Sequence, residues 1–266
     1  MTVATATVGD IDVRYTERGD GPPVVFVHGL AEDSRAWSAQ QDAIRDVRSV
    51  CYDLRGHGGS STGRADGTLA QLGGDLVGLL ESVVGPATCT GFSLGGTVVL
   101  RAAADRPDLV RHAIVLGTSS VVGCAAVDFY ERRIATVESG DQPAIRRAVH
   151  EDTVAALAHR HPDLGAVVDA RVHAIGDGSG YVNAARAMAR LRDEPLTPEL
   201  SRVRSHVDVV GAEHDTFCPR KAAEILLAGL PSGTYHEIPD AGHLMNVDRP
   251  DLVTALLYRL LERSRP

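Results

Sequence analysis

The 266-residue chain has almost no lysine: Lys221 is the only one, and arginine supplies nearly all the positive charge. We read that as a coding preference of a GC-rich genome rather than as a functional signal. Net charge is −8 and no basic run occurs, so the electrostatic footprint of a nucleic-acid binder is missing. No apolar stretch reaches the roughly 20 residues needed to span a bilayer. The start, "MTVATATVGDIDVRYTERGDG", lacks a basic segment followed by an apolar one, so no secretory leader is expected and a cytoplasmic location is. Aromatic residues are scarce at 4%, which leaves no hint of a stacking platform. The four cysteines (Cys51, Cys89, Cys124 and Cys218) are isolated from one another, with no CxxC pair. That spacing argues against structural zinc and for buried, reduced thiols. No cofactor motif stands out, and none is expected. The expected partner is a small-molecule substrate, with no nucleic acid and no membrane; oligomeric state is not legible in the chain.

What is present is a strand–helix alternation. "TATVGDIDVRYTERG" alternates as two antiparallel strands joined near Gly9-Asp10. "PPVVFVHG" is a continuous apolar run bounded by prolines and glycine, as in a strand buried on both faces. A helix is predicted around Ser34 to Arg45, then a strand in "RSVCYDL". Leu69, Leu72, Leu76, Leu79, Leu80 and Val83 then fall at helical spacing over residues 68–84. Strand "ATCTGF", a helix stopped by Pro107, and strand "RHAIVLG" follow. The alternation breaks after Gly117, and resumes with strand "HVDVVG", helix "PRKAAEILLAGL", strand "TYHEIP" and a last helix from Pro250 to about Arg263. The expected fold is α/β: a mostly parallel eight-stranded sheet flanked by helices, with a helical cap inserted after the sixth strand. Residues 1–118 and 197–266 would form the core and residues 119–196 the cap.

The chemistry concentrates at "CTGFSLGG", residues 89–96, where Ser93 stands in a G-x-S-x-G pattern. The pattern alone is weak in so glycine-rich a chain. Its setting strengthens it, because it ends an apolar strand and directly precedes a helix. Such a turn strains the serine backbone and tolerates only small neighbours, a requirement that Gly91 and Gly95 meet, with Gly96 adding room. It would lift the hydroxyl above the carboxyl edge of the sheet, at the N-terminus of the helix. A serine hydroxyl is a poor nucleophile and needs a base held by a third group. "GAEHDTFCP" offers Glu213, His214 and Asp215 after one later strand, and "PDAGHLMN" offers Asp240 and His243 after the next. The order Ser93, Asp215, His243 is the one this architecture uses. Backbone N–H groups of Leu94 and of Leu30, in "HGLAED", are candidate oxyanion donors, while His28 and Gly29 would shape that loop.

These segments together, "HGL", "DLRGHGGS", "GFSLGG", "GAEHDTFCP" and "AGHLMNVDRP", resemble the α/β-hydrolase fold enzymes in order and along nearly the whole chain. The look is that of small bacterial esterases and lactonases, including 3-oxoadipate enol-lactonases and the cofactor-free haloperoxidase-like group. The resemblance implies that Ser93 is the nucleophile, His243 the base and then the acid, and Asp215 the orienting carboxylate. Relatives that place the acid after the strand before the lid have a carboxylate where this chain reads "GTSS" (117–120), which favours Asp215. Ser93 argues against the dehalogenase branch, whose nucleophile is aspartate. The implied activity is hydrolysis of a small or medium ester, lactone or thioester through an acyl-enzyme on Ser93. The alternative is non-hydrolytic or C–C bond chemistry in secondary metabolism on the same three residues. His57 is expected to fix a loop near the pocket mouth, with Asp53 and Arg55 as scaffold contacts. The cap histidines, "HRH" (159–161) among them, and the "RR" pairs at 132–133 and 146–147 are read as solvated helix faces.

Overall fold

The computed structural model describes residues 1–263, so the last three residues of the expected core segment 197–266 lie outside the described residues. Eight strands form one sheet: β1 (Thr2–Val8), β2 (Ile11–Arg18), β3 (Pro23–Val27), β4 (Arg48–Tyr52), β5 (Ala87–Phe92), β6 (Val110–Leu116), β7 (His206–Ala212) and β8 (Gly233–Ile238). Their order is β1-β2-β4-β3-β5-β6-β7-β8. β1 pairs antiparallel with β2, and β2 with β4; all other pairs are parallel. The tight turn expected at Gly9-Asp10 is there, with Gly9 at φ +59 and Val8 opposite Ile11.

The helices are α1 (Ser38–Ala43), α2 (Leu69–Leu79), α3 (Leu94–Asp105), α4 (Cys124–Glu138), α5 (Gln142–Ala156), α6 (Leu164–Ile175), α7 (Ser179–Arg190), α8 (Arg220–Gly229), α9 (Met245–Asp248) and α10 (Pro250–Arg263). The central strands are apolar on both sides, and their alternation sorts two cores. Val25, Val27, Cys89, Ala113 and Val115 face the layer of α2, α3 and α8. Val24, Phe26, Phe92, Ile114 and Leu116 face the layer of α10 and Trp37. Five buried aliphatics of α10 (Val253, Leu256, Leu257, Leu260 and Leu261) seal that second face, each worth about 1.5–3 kcal/mol when fully buried. This is the α/β-hydrolase arrangement anticipated above.

Two predicted helices differ in detail. The stretch from Ser34 divides into a 3-10 turn (Ser34–Trp37) and α1, because Asp33 caps Arg35 N–H and Trp37 turns inward onto Phe26 at 5.2 Å. The stretch over 68–84 starts at Thr68, whose hydroxyl accepts from Gln71 N–H, and its last five residues widen into a π-turn. There Gly85 N–H reaches back to Leu80 O at 2.7 Å, a closure that places Gly85 at φ +81.

Helices α4 to α7 lie between β6 and β7, where the alternation broke. Val137, Ile145, Val149, Val168, Ile175 and Tyr181 make a small core of their own, which also takes in Ala31. α7 contributes Ala184, Ala187 and Met188 to the main core, so this unit is rooted in the domain beneath it. No described helix is long and apolar enough to cross a membrane. All four cysteines are free thiols, but they are not all buried as expected: Cys124 is exposed and Cys218 partly so. Cys124 is the first residue of α4, on a surface turn with no core beneath it.

Asp208 on β7 accepts from His112 Nε2 of β6 at 2.8 Å and from His236 Nε2 of β8 at 2.7 Å, tying three strands together. Burial alone would raise this carboxyl; the two imidazoles hold it below the ordinary aspartate value of 3.8. A group lowered by folding stabilises above its unfolded pKa and loses that contribution as pH falls through its folded value. The stabilisation is therefore complete at pH 7 and fades below about pH 4. Asp208→Asn should lower unfolding free energy at pH 7 by about 1.5–3 kcal/mol. In urea titrations that deficit should shrink along the acid limb; a pH-independent deficit would contradict the assignment.

Candidate active site

Ser93 stands between β5 and α3 at φ +52 and ψ −118, a conformation rare for any residue with a side chain. Its backbone is held there by a hydrogen bond from Ser93 N–H to Leu116 O of β6 at 2.8 Å. The three glycines each have a steric reason. A Cβ on Gly91 would strike the Gly95 carbonyl, one on Gly95 would strike the carbonyls of Val27 and His28, and one on Gly96 would strike Thr118. α3 thus begins in backbone contact with β3 and β5, which points its N-terminus and Ser93 at the carboxyl edge of the sheet.

The loops after β7 and β8 meet Ser93 there. His243 Nε2 lies 3.0 Å from Ser93 Oγ, and His243 Nδ1 lies 2.8 Å from Asp215 Oδ2. The other oxygen of Asp215 accepts N–H groups of Phe217 at 2.9 Å and Cys218 at 2.8 Å. Burial alone would raise the Asp215 carboxyl; His243 and those two N–H groups hold it below the ordinary aspartate range. The carboxylate therefore stays ionised at neutral pH, and a histidine proton is fixed on Nδ1, leaving Nε2 free to accept from Ser93. Gly117, at φ +54, passes close behind both side chains where a Cβ would crowd the imidazole.

The alternatives left open by the sequence separate cleanly. Glu213 Oε2 accepts Asp240 N–H at 2.9 Å, and Asp240 pairs with His159, so neither reaches His243. His214 is exposed. His28 accepts Leu54 N–H on Nε2 at 3.0 Å and contacts Gly29 O through Nδ1 at 2.8 Å, an interior brace for the loop after β3. His57 is fully buried on Arg55 O and lines neither cavity beside Ser93, so it is a deep scaffold residue rather than one at a pocket mouth. Burial pushes it down to about 4 and keeps it neutral. Asp53 and Arg55 are scaffold contacts: Asp53 accepts Ser34 and Gly59 N–H, and Arg55 pairs with buried Asp75. Arg133 and Arg146 pair with Asp152 and Asp169 on neighbouring helices. His161 accepts Asp163 N–H, and among the described residues no group of His, Cys, Asp and Glu is arranged to hold a metal ion.

Leu30 lines the cavity at Ser93, and Leu94 is the buried first residue of α3, where helical N–H groups have no partner within the helix. Ala31, next to Leu30, has φ +57, so the loop after β3 is strained beside the site as well.

Sequence reasoning missed several neighbours. Phe92 and Phe217 flank the His243 ring at 5.1 and 5.2 Å. Asp248 accepts N–H groups of Gly242 and Ala158, and so fastens the His243 loop to the end of α5. It sits inside "AGHLMNVDRP", but its role depends on a residue 90 positions away. Two chambers open at Ser93 and share Phe129, Tyr130, Phe217 and His243. One, of about 60 Å³, carries Asp152, Arg171 and Tyr181; the other, of about 440 Å³, carries Val122, Ala126 and Met188.

The Ser93 backbone strain is itself testable. Ser93→Gly should be more stable than Ser93→Ala by roughly 1–3 kcal/mol, because only glycine adopts this φ and ψ without a Cβ penalty. Equal melting temperatures for the two variants would contradict the strain.

Comparison with known proteins agrees with this architecture. The chain is 27% identical to 3-oxoadipate enol-lactonase 2 of Acinetobacter baylyi, over 97% of this chain and 96% of that one. It superposes on the enol-lactonase from Burkholderia xenovorans with a TM-score of 0.85 at 23% identity, covering 97% and 100% of the two chains. Bromoperoxidase from Bacillus anthracis matches with a TM-score of 0.85 at 19% identity, over 98% and 100%. At such identities the structural likeness concerns the fold. The sequence model of the alpha/beta hydrolase family matches residues 24–256, and the chain belongs to that family.

Proposed function

We propose that this protein is a serine hydrolase of a small or medium carboxylic ester, lactone or thioester. The observation that carries the reading is the continuous chain of contacts from Ser93 Oγ through His243 to Asp215, at 3.0 and 2.8 Å, on the wall of a cavity. His243 takes the Ser93 proton as the hydroxyl attacks the carbonyl carbon, and Asp215 stabilises the imidazolium that forms. Backbone N–H groups of Leu30 and Leu94 hold the oxyanion, each worth roughly 3–4 kcal/mol of barrier. His243 then returns the proton to the departing oxygen or sulfur, and water activated by His243 cleaves the acyl-enzyme.

The helices α4 to α7, within residues 119–196, act as a cap. They bring Phe129, Tyr130, Asp152, Arg171 and Tyr181 over the serine, so substrate choice lies with them rather than with the sheet. Lactonase- and hydrolase-named relatives support carbonyl chemistry at this site. Cys218, which touches the larger chamber, offers no rival nucleophile, because burial pushes its thiol far up.

Ser93→Ala should abolish labelling by a fluorophosphonate probe and reduce ester turnover at least about 10⁴-fold. Persistent labelling of that variant would remove Ser93 from the role. Asp215→Asn should keep the fold but lose about four orders of magnitude in kcat, since an amide no longer selects the Nδ1–H tautomer; unchanged kcat would place the acid elsewhere.

A further inference from the structure

We propose that the smaller chamber beside Ser93 receives a carboxylate of the substrate on Arg171, which makes acid-bearing esters or lactones the preferred class. The inference rests on the serine-hydrolase reading above and adds to it the charge of the substrate.

Arg171 reaches from α6 into the same cavity as Ser93 and His243, and its side chain is only 15% exposed. Its Nε is buried without a hydrogen-bond partner. A buried guanidinium N–H left without an acceptor is costly, and guanidinium is built to grip a carboxylate with adjacent N–H donors. The carboxylates of the protein do not fill this need. Glu32 stands 3.8 Å from Arg171 Nη1, beyond hydrogen-bond reach, and its other oxygen accepts Gly29 N–H at 2.9 Å. Asp152, on the same cavity wall, is gripped by Arg133 through Nε at 2.8 Å and Nη2 at 2.6 Å. Asp152 is thus committed to Arg133, and Glu32 makes only a long ion pair with Arg171 that leaves its Nε without an acceptor.

The surroundings favour the same ligand. Ala31, Val149, Ala156 and Leu244 make the rest of the wall apolar, which strengthens a charge-assisted bond made inside it. Tyr130 and Tyr181 also line the chamber, and burial raises both phenols, so their hydroxyls remain protonated donors at neutral pH. The larger chamber has no Asp, Glu, Lys or Arg on its wall and is lined by Val122, Ala125, Ala126 and Met188. It suits the uncharged remainder of the molecule. A charged end and an apolar end on opposite sides of Ser93 would fix which way the scissile carbonyl faces.

The test compares monomethyl esters of succinate, glutarate and adipate with uncharged isosteres in which an isopropyl group replaces the carboxylate. Hydrolysis is followed by pH-stat, and fluorophosphonate labelling of Ser93 is measured on the same preparations. In the wild type, kcat/KM for the best charged ester should exceed that of its isostere by about 10- to 100-fold, the worth of one charge-assisted hydrogen bond. Arg171→Met should bring that ratio down at least about tenfold, and Arg171→Lys should restore part of it. Glutarate should compete with the uncharged ester in the wild type more strongly than the neutral glutaramide does, a measurement that needs no variant; equal competition would count against Arg171. A labelled, active wild type with a ratio of one or less, or a ratio unmoved in a labelled Arg171→Met, would overturn the role of Arg171 alone. A wild type neither labelled nor able to turn over any ester would instead overturn the serine-hydrolase reading, and this inference with it.

Discussion

Everything at this site depends on how closely one helix end approaches two strands. α3 starts with its backbone against the carbonyls of Val27 and His28, a contact that leaves no room for a Cβ at Gly95. The same crowding excludes one at Gly91 and at Gly96. Within that contact the only way from β5 into α3 is a turn that holds Ser93 at positive φ. The strain is offset by sheet and helix hydrogen bonds on either side, which are far more numerous than the single strained residue. Strain stored at one residue by an over-determined scaffold is how a rigid sheet edge presents a side chain in one direction only.

The partners of Ser93 come from different strands, so their alignment depends on how the later loops are held. Asp215 accepts two N–H groups from its own turn and one from His243, which satisfies a buried carboxylate without a second cation. Asp248 does a comparable service for the His243 loop by joining it to the end of α5. Rigid placement of this kind matters because a misplacement of about 1 Å can cost two orders of magnitude in rate. Helix α5 is therefore coupled to the His243 loop through Ala158, and α7 to the main core. Helices α4 to α7 and the sheet domain thus share hydrogen bonds and packing.

Charge is distributed differently in the two chambers. Some arginines of α4 to α7 meet carboxylates at short range, as Arg133 does with Asp152 and Arg186 with Glu138. Arg171 pairs with Glu32 only at 3.8 Å and keeps an unfilled Nε. In a protein of net charge −8 any anion is repelled at long range, so local donors must overcome that field.

How much of this was legible in the chain follows from the range of the forces involved. Apolar runs such as "PPVVFVHG" and the helical spacing from Leu69 to Val83 report burial directly, so eight strands and the flanking helices could be read from them. G-x-S-x-G before a helix specifies its own turn by local sterics, and Asp215 and His243 follow in the order the fold requires. The choice between Asp215 and Glu213 depended instead on which carboxyl turned inward, a matter of packing between β7 and β8. Cap residues carried no periodic or motif signal of function: Arg171 among many arginines, and Phe217 in a loop, acquire meaning only from what they face. Asp248 acts on Ala158 across 90 residues, and His57 is buried against the His28 ring, 29 positions away in the chain. The sequence by itself determined the fold and the turn that carries Ser93, since those follow from local sterics and hydrophobic pattern. Tertiary structure alone decided that Glu213 turns away from His243, and what charge and shape surround Ser93, because those are set by contacts between segments far apart in the chain.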